Sequence, residues 1–74
     1  MSFEDEGSTI LKVAEVVATT EASALIELED GERAWFPFIK CDGLFEVTEG
    51  EEEQFDCPNW ILIDRGLDDY IDYD

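Results

Sequence analysis

The chain has 74 residues, with 21 Asp and Glu against 4 Lys and Arg, no His and a formal net charge of −17. Such an excess of one sign favours a soluble monomer, and it excludes direct binding to nucleic acid phosphates or to an anionic membrane surface. The chain is nevertheless 45% hydrophobic, with two Trp, two Tyr and five Phe, which predicts one core-bearing domain over 1–74 rather than a disordered acidic tail.

No apolar run approaches the roughly 20 residues of a membrane span, and no basic start leads into an apolar segment, so a cytoplasmic protein is expected. A folded chain of this length has a radius of gyration of about 11 Å and a diameter near 29 Å. Duplex DNA carries one charge per ~1.7 Å, or about 17 charges over that distance. The protein therefore matches the double helix in negative charge per unit length.

Residues 1–8 read as a mobile acidic lead-in. Thr9 to Thr20 is rich in β-branched residues and predicts a long strand. Strict alternation puts Ile10, Lys12, Ala14, Val16 and Ala18 on one face and Leu11, Val13, Glu15, Val17 and Thr19 on the other. Both faces are mostly apolar, which predicts a strand central to a barrel or covered on both sides. Ala22 to Ile39 reads as a hairpin around Asp30-Gly31, a pair favoured in a type I′ turn with positive φ at both positions. Pro37 lacks an N–H and predicts a strand end, bulge or edge.

Beyond a second Asp-Gly turn at Asp42-Gly43, Leu44 to Thr48 predicts a short fourth strand. Glu49 to Glu53 reads as a solvated loop and Gln54 to Cys57 as a brief fifth strand. A short helix follows, with Asp56 or Cys57 as N-cap, Pro58 in its first turn, Gly66 just past its end, and Trp60, Ile61, Ile63 and Leu67 as its apolar stripe. Residues 68–74 form an acidic-aromatic tail that Tyr70, Ile71 and Tyr73 can anchor. The expected fold is mainly β, a small antiparallel β-barrel or curled sheet of four to five strands with one short C-terminal helix. An α+β sheet with a helix on one face is the alternative.

Catalysis is poorly supplied without His, so no enzymatic role and no cofactor is expected. Cys41 and Cys57 have no further Cys or His to complete a four-ligand zinc site. They read as buried free thiols, with a disulfide as the alternative. Neither acidic run matches a calcium-binding loop, so no metal site is assigned. Trp35, Phe36, Phe38 and Trp60 read as core rather than as a ligand pocket.

The acidic coat is the remaining source of function. Residues two apart on a strand are separated by ~6.6–6.8 Å, near the phosphate repeat of one nucleic-acid strand. Glu27 and Glu29 would make such a pair, with Asp30 and Glu32 at the turn and Glu46 extending the surface. Glu49, Glu51, Glu52 and Glu53, with Asp68, Asp69 and Asp72 of the tail, would add further rows. A groove lined with Lys and Arg for phosphates would accept these carboxylates, so a basic nucleic-acid-binding protein is the expected partner. Adaptation to high salt and a solvated coat without a partner are the competing readings.

The segment from Ala24 to Phe38, with its Trp-apolar-Pro step, and the later Pro58-Asn59-Trp60 helix start look like features of small phage and bacterial domains. In size and acidity the chain resembles phage-encoded anti-CRISPR proteins of the DNA-mimic type, over roughly Ile10 to Leu67. The resemblance implies a stoichiometric inhibitor that occupies the DNA channel of a CRISPR surveillance complex in the host bacterial cytoplasm. A type I complex blocked at the subunit reading the adjacent motif is the first expectation. An inhibitor of a restriction or repair enzyme, or an adaptor barrel binding a protein partner, is the alternative. No family residue transfers by motif, so the site residues rest on strand spacing alone.

Overall fold

The computed structural model describes residues 7–71, and its longest element is the central strand β1 (Ser8–Thr19). There follow β2 (Ser23–Leu28), β3 (Arg33–Pro37), α1 (Leu44–Thr48), β4 (Gln54–Pro58), α2 (Asn59–Asp64) and a 3-10 turn at Asp68–Tyr70. The strands form an antiparallel sheet in the order β3-β2-β1-β4, and the Cα radius of gyration is 11.5 Å. The fold is mainly β, as expected. It takes the form of an open curled sheet rather than a closed barrel. One bridge, Asp42 opposite Asp56, ties the segment after β3 to the free side of β4.

β1 divides its length between two neighbours. Ser8 to Lys12 pair with Pro58 to Gln54 of β4, and Val13 to Thr19 pair with Leu28 to Ala24 of β2. Register shifts between Val13 and Glu15 and between Val16 and Ala18 mark irregularities of the β-bulge kind. They place Val13, Val16 and Thr19 opposite Leu28, Ile26 and Ala24, which are buried. The expected even alternation is thus wrong beyond Val13. So is cover on both faces, because Ile10, Lys12, Glu15 and Ala18 are exposed.

The β2–β3 hairpin forms as expected, but its turn is of another type. Gly31 N–H donates to Leu28 O at 2.9 Å, and Leu28 N–H donates to Glu32 O at 2.8 Å. Gly31 has φ +93°, and no described non-glycine residue has positive φ. Asp30 therefore stays in ordinary backbone space, and the loop is a turn closed by a glycine bulge, the usual three-residue solution. The Asp30 side chain accepts from Glu32 N–H at 3.1 Å, which fixes the loop from within.

Leu44 to Thr48 is helical, not a fourth strand. Gly43, at φ +86°, turns the chain into α1, which buries Leu44 and Val47 three residues apart and leaves Phe45 and Glu46 outside. Burial overrides the strand preference of Phe45, Val47 and Thr48. The expected fifth strand is present as β4, a full partner of β1. β4 runs through Pro58, so α2 starts one residue later than the Pro58 placement implied, with Pro58 itself at the N-cap. The predicted stop at Gly66 is correct: Leu67 N–H donates to Leu62 O at 2.7 Å and Gly66 N–H to Ile63 O at 3.1 Å, a Schellman motif.

Phe36 and Phe55 meet edge-to-face at 5.1 Å in a core that also holds Leu11, Ile26, Leu28, Leu44, Ile61 and Leu62. The apolar stripe of α2 is Ile61 and Leu62, not Trp60 and Ile63. Trp60 is 48% exposed and Trp35 41%, which corrects their expected place in the core. Leu67 and Ile71 are buried and anchor the start of the tail; Tyr73 and residues 1–6 lie outside the described residues. At the free edge of β3, Arg65 Nε donates to Trp35 O at 2.6 Å, and Arg65 also pairs with Asp64 at 2.8 Å.

A Cβ at Gly31 would meet nothing within 4 Å, so substitution there tests the backbone alone. Gly31→Ala should destabilise the fold by about 1–2 kcal/mol in urea unfolding, and Gly31→Asn by less. Equal stability of all three proteins would contradict the bulged turn.

Candidate functional site

The hairpin loop and the 3-10 turn converge although they lie far apart in sequence. Between them lies a depression of ≈ 200 Å³ lined by Asp30, Glu32, Gly66, Leu67, Asp69 and Tyr70. The Tyr70 hydroxyl is buried and faces the Asp30 carboxylate without closing a hydrogen bond of normal geometry. The Tyr70 hydroxyl, followed by the Glu32 N–H, holds the Asp30 carboxyl below its usual value. Burial, then the proximity of Asp30, raises the Tyr70 phenol above its ordinary range.

Two further depressions continue this surface. Tyr70 and Glu29 border one of them together with Ile10 and Lys12, and Lys12, Glu29 and Glu53 border the next. The result is a strip from Asp69 and Glu32 through Asp30 and Glu29 to Glu53. Among the described residues, Lys12 is the only basic one lining these three depressions. The strip comes from loops and a turn, held by the core beneath Leu28, Leu67 and Ile71.

The expected phosphate-like row along β2 is not formed. Glu27 lies on the outer face of β2, but the strand ends at Leu28 and Glu29 belongs to the turn. Glu27 is also engaged, accepting from Arg33 Nε at 2.9 Å, while Glu15 sits opposite it on β1. Glu46 is on α1 and extends no strand surface.

Glu49 caps the end of α1 and, with Glu21, borders a separate groove beside Phe38 and Phe45, whose rings meet at 6.0 Å. Glu51 and Glu52 are exposed in the following loop and Asp68 in the 3-10 turn, while Asp72 lies outside the described residues. Of the predicted residues, Glu29, Asp30, Glu32, Glu53 and Asp69 share the strip, Glu46 and Glu49 belong to α1 and its end, and Glu27, Glu51, Glu52 and Asp68 lie apart from both. Lys12, Glu15 and Glu21 were missed, and so was the meeting of Tyr70 with Asp30. The shifts of β1 and a meeting of distant segments place them, and neither leaves a local signal in sequence.

Among the described residues no group of three or more His, Cys, Asp and Glu side chains could hold a metal ion. No described helix is long and apolar enough to cross a membrane. No protein-family model matches the chain, and no curated protein or solved structure is significantly similar to it.

The two shifted groups have opposite pH consequences. The lowered Asp30 carboxyl contributes stability above its unfolded value, about 3.9, which is lost as pH falls through the folded value. The raised Tyr70 phenol contributes stability below about pH 10, which is lost as pH rises through its folded value. Tyr70→Phe should therefore move the Asp30 carboxyl titration upward in an NMR pH series. An unchanged midpoint would show that the two groups do not interact.

Proposed function

We propose that the chain acts without catalysis, as an acidic decoy that occupies the DNA-binding channel of a basic partner and competes with duplex DNA. The observation that carries this reading is the strip of Asp30, Glu32, Asp69, Glu29 and Glu53, broken only by Lys12. Its carboxylates are spread over loops that the core holds in place, and a preformed charged surface limits the ordering cost of binding. A net charge of −17 adds long-range steering toward a cationic groove. The resemblance to anti-CRISPR proteins makes a type I surveillance complex the first target to test. A restriction or repair enzyme is the next.

A second reading, an adaptor that binds protein through apolar contacts, is favoured by the exposure of Phe45, Trp35 and Trp60 on a chain this small. Salt separates the two. A decoy should lose about tenfold or more in affinity between ~50 and ~500 mM salt, whereas apolar docking should change little.

Asp30→Lys combined with Asp69→Lys should abolish competition with DNA while circular dichroism stays native. Glu27→Lys, at a carboxylate already engaged by Arg33, should have a smaller effect on competition. Full inhibition by the Asp30/Asp69 double variant would remove the strip as the binding face.

A further inference from the structure

Cys41 and Cys57 are the only cysteines of the chain, both free and both buried, at 3% and 0% exposure. The bridge between Asp42 and Asp56 is antiparallel, with Asp56 N–H donating to Asp42 O at 2.8 Å. One step back on the first segment is one step forward on the second, which sets Cys41 directly across from Cys57. Because the hydrogen bond falls between Asp42 and Asp56, the cysteines occupy the neighbouring non-hydrogen-bonded position. Opposed Cα atoms there approach to about 4.5 Å and side chains are closest. That separation lies within the range of about 4.4–6.8 Å spanned by disulfides.

The two sulfurs are not equivalent. The Cys57 thiol donates to the Pro58 carbonyl at 3.5 Å, while its proximity lowers the Cys41 thiol against the opposing effect of burial, and the nearby Arg65 charge helps. Cys57 is pushed far up by the proximity of Cys41 and by burial. Cys57 is tied to the Pro58 carbonyl, so Cys41 is assigned as the thiol that reacts first and Cys57 as the one that resolves it.

We propose that Cys41 and Cys57 form a redox-active dithiol that closes to a disulfide under a small peroxide. The Cys41 thiolate attacks one oxygen of hydrogen peroxide, the O–O bond breaks, and a sulfenic acid forms with release of hydroxide, which takes up a proton to become water. Cys57 sulfur then attacks the Cys41 sulfur, the S–O bond breaks, and the departing hydroxide takes the Cys57 proton as a second water. The balance is two thiols and one peroxide to one disulfide and two waters. Burial of both sulfurs favours an oxidant of this size over a bulky disulfide. The product would join the segment before α1 covalently to β4, adding a bond beside the single Asp42–Asp56 bridge.

The test treats the full chain with hydrogen peroxide under native conditions, then denatures it and alkylates free thiols before intact-mass analysis. Expected is a monomer lighter by two hydrogens with both thiols protected, reversed by dithiothreitol. Its Tm should be raised by the order of 10 °C, as closure of a loop of this length implies. Cys57→Ala, with its fold checked by circular dichroism, should stop at a Cys41 sulfenic acid that dimedone traps. A covalent dimer, or over-oxidised Cys41 beside free Cys57, would overturn the proposal. So would native thiols left unreacted at peroxide levels that oxidise the urea-unfolded chain.

Discussion

Between Val13 and Glu15 and again between Val16 and Ala18 the pairing of β1 with β2 shifts register, and the rest of the sheet depends on those two shifts. They keep Val13, Val16 and Thr19 opposite the buried face of β2 while the sheet curls. The same strand carries β4 on its first half and β2 on its second, so its curvature governs how far β3 and β4 stand apart. Curling brings the segment after β3 to the free side of β4, where the Asp42–Asp56 bridge forms. Without the shifts, Glu15 and Val16 would exchange faces, and a carboxylate would enter the core beside Ile26.

The acidic coat works against this arrangement. Glu15 and Glu27 face each other across two strands, a like-charge pair that destabilises a sheet unless relieved. Arg33 supplies the relief from the next strand, joined to Glu27 at 2.9 Å. Its partly exposed ion pair contributes at most about 1 kcal/mol, so cohesion comes from the buried face of β2 with Phe36, Phe55 and the residues of α2. Self-repulsion is the standing cost of the surface, and added salt lowers it by screening.

Local chemistry made much of the fold legible. Asp30-Gly31 marked the hairpin, the β-branched run marked β1, and Gly66 marked the end of α2. Leu44 to Thr48 misled because five residues with Phe, Val and Thr satisfy a strand pattern, whereas the helix follows from Gly43 and from burial of Leu44 and Val47. Strict alternation failed along β1 because register shifts leave no composition signal. Exposure of the acidic residues was legible, but their grouping was not. Asp30 meets Tyr70, and Glu29 meets Glu53, through the path of the whole chain.

β3 is an edge strand that carries the half-exposed Trp35, and such an edge offers unpaired backbone groups to any second chain. Arg65 occupies the Trp35 carbonyl from outside, and Pro37 has no N–H to give. Two ladder positions of the five-residue strand are thereby closed to strand addition. A single guanidinium from the end of α2 thus acts as a guard against edge-to-edge fibre growth, placed where the apolar Trp35 would otherwise invite it.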